Sequence, residues 1–136
     1  AGLAGSSAPR DRIIDGHDIW PLLSGRAGAK SPYDAFYYYY MEQLQAVRSG
    51  PWKLYLPMKE RWQNFRRQAK PAGAELHHLE DDLGETTNLA QARPEVVERL
   101  LKFADRARQD LGDFDRPGKN QRPAGFVQDP QPQLLR

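Results

Sequence analysis

The chain has 136 residues, enough for one domain, with 39% hydrophobic and 28% charged side chains. Its 20 basic and 18 acidic residues leave a formal charge of +2, too balanced to argue for nucleic acid as a partner. Cysteine is absent, which excludes a disulfide framework, a thiol nucleophile and a cysteine zinc site, and no apolar run approaches the ~20 residues of a membrane span.

The opening residues 1–12 are small and polar and read as a linker or a frayed helix end. They carry no initiator methionine and no signal-peptide pattern, so the chain is expected to be a piece of a larger protein. Residues 13–25, IIDGHDIWPLLSG, form a compact apolar plug. Asp15 and Gly16 mark a turn, and Asp18 is placed to cap a short helical turn carrying Ile19, Trp20, Leu22 and Leu23. Pro21 fits only the first turn of such a helix, and Gly25 is a natural stop.

Three strands are expected next, at 35–40, 44–48 and 52–56. The first is an almost unbroken aromatic run, which suits a pleated, half-buried surface. Gly50 and Pro51 divide the other two, because glycine permits a positive φ and proline cannot donate to a ladder. Trp52, Leu54 and Leu56 alternate with Lys53 and Tyr55, so one face of the sheet is expected to be buried.

Residues 57–74 interrupt the strands with five basic side chains against the single acid Glu60. Trp62 and Phe65 are three apart, the spacing of one face of a helical turn. Residues 75–79 are a fourth strand, followed by an acidic turn over 80–88. The clearest helix spans 94–111. Pro94 stands at its first position, Glu95 and Glu98 favour its positive end, and Val96, Val97, Leu100, Leu101, Phe103, Ala104, Ala107 and Leu111 repeat at three and four residues. Beyond Gly112 the Pro/Gln/Gly-rich chain reads as extended or disordered. The fold class is therefore α+β: a four-stranded antiparallel sheet with one long helix packed across it.

Three motifs in this order resemble the C-terminal region of the formylglycine-dependent sulfatases. The first is Asp15, Gly16, Asp18, Pro21, Leu22, Leu23 and Gly25. The second is Ala46, Val47, Arg48, Gly50 and Lys53. The third is Glu75, Leu76, Leu79, Asp82, Gly84, Glu85, Asn88 and Leu89. The resemblance covers roughly residues 5–111, and the insertion RWQNFRR looks more loosely like that of the arylsulfatase and N-acetylgalactosamine-6-sulfatase branch. His77 and His78 replace the usual Tyr and Asp, and Leu83 replaces a usual Pro.

The resemblance implies a division into a linker and apolar segment at 1–32, a sulfatase C-terminal subdomain at 33–112 and a tail at 113–136. It implies a parent enzyme that hydrolyses sulfate esters with calcium and a formylglycine made from a Cys or Ser. Those motifs lie upstream in the family. This chain has no cysteine, and Ser7-Ala8-Pro9-Arg10 lacks the residue that a Ser-x-Pro-x-Arg run needs. The fragment alone is therefore expected to be inactive, with no cofactor, no metal and no catalytic residue of its own. Its implied partners are the upstream catalytic domain and a sulfated substrate, with neither nucleic acid nor membrane. The implied compartment is periplasmic, secreted or lysosomal.

Candidate substrate contacts are the strand end Tyr40, Glu42 and Gln43, reaching toward a neighbouring catalytic domain, and Arg61, Arg66 and Arg67 of the insertion, whose forks match a sulfate. The insertion also reads as a solvated basic loop. Asp82, Gly84, Glu85 and Asn88 suit a cation, but weigh more heavily as a hydrogen-bonded turn. His77 and His78 are adjacent on a strand and face opposite ways, so they do not readily serve one site. His17 lies among acids with no nucleophile beside it and reads as a turn residue. The alternative function is a stand-alone module that binds an anionic glycan or another protein.

Overall fold

The computed structural model describes residues 1–11, 14–58, 61–63, 66–68, 73–121 and 127–131, with 61–63 and 66–68 described as backbone. The chain divides into two compact units, Ala1–Asp34 and Ala35–Arg136.

In the first unit the short helix α1 (Trp20–Leu23) carries Pro21 in its first turn. Ile19 occupies the cap position, and Asp18 acts one residue earlier, its Oδ1 accepting the Trp20 N–H at 2.9 Å. Gly25 follows with φ 67°, a conformation that favours glycine and stops the helix. The Tyr33 ring packs edge-on against His17, and its hydroxyl accepts the His17 N–H and donates to the Asp15 carbonyl. None of the described residues of this unit is buried, although Leu3, Trp20 and Leu23 are large and apolar.

The second unit holds the expected sheet. Strands β1 (Phe36–Tyr40), β2 (Gln43–Ser49), β3 (Trp52–Tyr55) and, later in the chain, β6 (Glu75–His78) pair antiparallel in the order β1-β2-β3-β6. Gly50 turns β2 into β3 with φ 58°. Tyr38 pairs with Ala46 and Tyr39 with Leu44, so Gln45 is an extra residue and β2 carries a bulge there.

The 17-residue helix α2 (Pro94–Asp110) lies across one face. Leu44, Val47, Leu54, Leu56 and Leu76 from the sheet side meet Leu100, Ala104 and Ala107 from the helix, all buried. Each buried leucine contributes about 1.5–3 kcal/mol relative to exposure, and the alanines let the helix approach closely. Glu95 in the first turn and Arg108 in the last complement the helix dipole.

Three expectations are corrected. Trp62, expected on a helical turn, stands instead in a strand: β4 (Arg61–Gln63) and β5 (Arg66–Gln68) pair antiparallel apart from the main sheet, with Trp62 opposite Arg67, while Phe65 lies outside the described residues. Two three-residue runs separated by two residues suit a tight hairpin, whereas a single i,i+3 pair is too little periodicity to hold a helix. Leu111 is not on the buried stripe; it caps α2 and is exposed, because the stripe ends at Ala107. Past the helix, where an extended or disordered tail was expected, β7 (Gly112–Asp113) and β8 (Arg116–Pro117) turn back beside α2. The N–H groups of Lys119 and Asn120 then donate to the Gln109 and Asp110 carbonyls, satisfying acceptors that a helix end leaves open.

Candidate functional site

The sheet face away from α2 is polar and aromatic. Phe36, Arg48, Lys53 and His77 form one cross-strand row, and Tyr38, Ala46, Tyr55 and Glu75 form the next. Lys53 is the hub. Its ammonium lies 2.7 Å from Glu85 Oε1 and 2.8 Å from the Tyr55 hydroxyl, with the Tyr38 and Tyr55 rings at 5.3 and 4.6 Å. Burial works to lower the Lys53 pKa, but its bonds to Glu85 and Tyr55 outweigh it and the net shift is upward. Burial likewise works to raise Glu85, and the hydrogen bonds from Lys53 and Tyr55 overcome it and hold the carboxyl below its usual range.

Glu85 belongs to a turn that the other motif residues close. Asp82 Oδ2 accepts the N–H groups of Thr86 and Thr87 at 2.8 Å each, and Oδ1 accepts the Thr86 hydroxyl at 3.0 Å. The Thr87 and Thr86 N–H bonds hold the Asp82 pKa down. Asn88 Oδ1 accepts the N–H groups of Leu76 and Ala90, and its amide donates to the Ala74 carbonyl, tying the turn to β6. These atoms are engaged by the chain itself, so the turn does not fit a calcium ion. Among the described residues no group of three or more His, Asp or Glu side chains could hold a metal, and no helix is long and apolar enough to cross a membrane.

The two histidines separate as strand geometry requires. His77 is buried on the outer face with its ring edge-on to Tyr55. His78, on the helix face, stacks edge-on against Trp52 and brings Nδ1 to 2.7 Å from Asp81. It is half-buried.

The candidate substrate contacts are dispersed. Tyr40 ends β1 half-buried, Glu42 is exposed in the hairpin turn, and Gln43 is buried with its Oε1 accepting the Gln45 amide at 2.9 Å. Arg61, Arg66 and Arg67 stand on the β4–β5 hairpin, where Arg61 pairs with Gln68 and Arg66 with Gln63. Their side chains lie outside the described residues. Consecutive positions 66 and 67 belong to opposite faces of the hairpin, so the backbone does not gather all three arginines on one.

Sequence reasoning missed Asp113 and Arg108. Asp113 Oδ1 accepts the N–H groups of Leu44 and Phe114, while Oδ2 accepts Arg108 Nε at 2.9 Å, and the Tyr39 hydroxyl donates to the Gly112 carbonyl at 2.8 Å. Burial and then the Asp113 charge raise the Tyr39 pKa to about 12. The Arg116-Pro117-Gly118 run after the helix was the available turn signal.

No family model matches the chain. It is 40% identical over 78 residues to the steryl-sulfatase of Mus musculus, covering 54% of this chain and 11% of the relative. This is a sulfatase-related region. The human steryl-sulfatase is 45% identical over 51 residues, covering 38% of this chain and 9% of the relative, and the arylsulfatase of Hemicentrotus pulcherrimus is 43% identical over 53 residues, covering 39% and 9%. A solved structure described under the metabolism of multiple glycosaminoglycans by Bacteroides thetaiotaomicron, with a sulf designation, superposes with a TM-score of 0.59 at 21% identity. That match covers 78% of this chain and 22% of the other and shows a shared fold. The sulfatase-related chain spans about a tenth of the length of the curated relatives it matches.

Proposed function

We propose that this region is the C-terminal subdomain of a larger sulfatase, bracing a catalytic domain and shaping one wall of its substrate cleft. The observation that carries this reading is the use made of the motif residues. Lys53, Asp82, Glu85 and Asn88 are each engaged in closing the turn and tying it to strands β3 and β6. A motif used that way belongs to scaffolding rather than to reaction chemistry. Leu3, Trp20, Leu22 and Leu23, all exposed in a unit none of whose described residues is buried, are consistent with a face that the rest of a larger polypeptide covers.

Hydrolysis of the sulfate ester then falls to groups outside this chain. The turn Tyr40–Glu42–Gln43 is the part of β1 and β2 proposed to reach toward the catalytic domain, and the hairpin with Arg61, Arg66 and Arg67 is the part proposed to meet an anionic substrate. The test is enzymatic. The 136-residue chain is expected to turn over no 4-nitrophenyl sulfate, and the parent polypeptide is expected to hydrolyse it and to lose that activity when this region is deleted. Turnover by the chain alone, with contaminating enzyme excluded, would defeat the reading. The arginine-bearing hairpin also favours a second reading, an anionic-glycan module, which predicts salt-sensitive binding of heparin but not of a neutral glycan.

A further inference from the structure

The β1–β2 turn and the segment 111–117 face one another across an open groove of about 570 Å³. Its base is held rigidly. Tyr39 is bonded to Gly112, and Asp113 is bonded to Leu44 and Arg108. Its lips are apolar: Met41, Leu111 and Phe114 remain 56%, 41% and 37% exposed. Its rim carries the carboxylates of Glu42 and Asp115, with Arg116 beside Asp115 at 3.5 Å. Met41 holds φ 54°, a region that a non-glycine residue rarely adopts, so an exposed thioether is displayed there at a conformational cost.

We infer that this groove receives an extended segment of the larger polypeptide, one that presents an apolar side chain next to a lysine or arginine. The inference rests on the subdomain reading above. Against the single Arg116, the carboxylates of Glu42 and Asp115 leave the rim net negative and Glu42 without that guanidinium, which favours a cation over a sulfated ligand, while the lips offer an apolar bed beside it. The small size of the groove identifies the source. Three partly exposed apolar side chains fall far short of the ~1,200–2,000 Å² that a stable contact between separate proteins buries. A tethered segment is presented at millimolar effective concentration and needs far less contact.

The probe is a blocked tetrapeptide alternating leucine and lysine, titrated into the 136-residue chain by NMR, with a leucine–glutamate peptide as control. The Met41 methyl and Phe114 ring resonances are expected to shift with the basic peptide at millimolar concentration and less so at high salt. The shifts are expected to vanish when Glu42→Lys and Asp115→Lys are combined. No shift, or equal shifts with the acidic peptide, would overturn the proposal. In the parent polypeptide, the amides of 41–44 and 111–116 are expected to exchange more slowly than in the isolated chain, and the charge reversals to remove that difference. Equal exchange would overturn the assignment to the same polypeptide. The sulfate-ester assay reads the subdomain proposal separately, because peptide binding in the groove does not depend on turnover.

Discussion

Lys53 and Glu85, 32 residues apart, meet at 2.7 Å and join two of the three sulfatase-like motifs. Their side chains keep only 15% and 24% exposure, between a surface pair and a buried one. Replacing Lys53 with Met leaves the Glu85 carboxylate partly desolvated without its cation. That change is expected to cost about 1–3 kcal/mol at neutral pH, read by urea denaturation.

The pH dependence of that difference has a definite sign. Glu85 has a depressed pKa, so its contribution is present above the unfolded value of ~4.3 and is lost as pH falls through the lower folded value. Lys53 has a raised pKa, so its contribution is present below ~10.4 and is lost as pH rises through the higher folded value. The stability gap between wild type and Lys53→Met is expected to be flat between these limits and to close at both ends. A gap that persists in acid would show that the loss is one of packing alone.

Asn88 offers a graded test of the turn. Asn88→Ala removes the acceptor for Leu76 and Ala90 and the donor to Ala74, and is expected to cost about 1–3 kcal/mol. Asn88→Asp keeps the acceptor and loses only the donor, so its loss is expected to be smaller. Asp82→Ala is expected to lower the protection of the Thr86 and Thr87 amides against exchange relative to their intrinsic rate, and acidification to do the same in wild type, because the depressed Asp82 contribution is lost as pH falls.

The parts of this structure legible in the sequence are those written in short-range pattern. The alternation of Trp52, Leu54 and Leu56 against Lys53 and Tyr55 correctly separates the core face from the outer face. The 3–4 spacing from Val96 to Ala107 locates the helix, and the density of Asp, Thr and Asn after Leu79 marks a turn that bonds to itself. What was not legible depends on pairing at a distance. The Lys53–Glu85 contact exists only once the turn has folded over β3. The bulge at Gln45 changes which residues share a face near Gln43, and one extra residue leaves no periodic trace. Two-residue strands such as β7 and β8 have no period to detect; only Gly112 and Gly118 hint at the close approach there.

That close approach can be tested directly. A Cβ added at Gly118 would fall on the Asp110 carbonyl oxygen and on the backbone nitrogen of Gly112, and neither can move without shifting the chain. Gly118→Ala is expected to detach the segment that caps α2, with faster amide exchange at Lys119 and Asn120, whose bonds to Gln109 and Asp110 require it. Gly2→Ala, where a Cβ meets nothing nearby, is the control and is expected to leave these amides unchanged.

The core sets the scale for these effects. Leu100 is fully buried where α2 meets the sheet, and Leu100→Ala is expected to cost about 2–5 kcal/mol. Leu83→Ala, at an 83% exposed position, is expected to stay within about 0.5 kcal/mol of wild type.

Met41 reverses the usual direction of a glycine substitution. It is the first residue between Tyr40 and Gln43, which pair across a two-residue turn, and its positive φ suits the leading position of a II′ turn, where glycine is favoured. Left-handed backbone costs an L-residue about 1–2 kcal/mol, and glycine returns part of that gain through the freedom of its unfolded chain. Met41→Gly is therefore expected to stabilise the chain by up to about 1 kcal/mol, checked by the shift in denaturation midpoint. If the thioether also serves the groove, the same substitution weakens peptide binding while it strengthens the fold. A purely structural turn residue would leave binding unchanged.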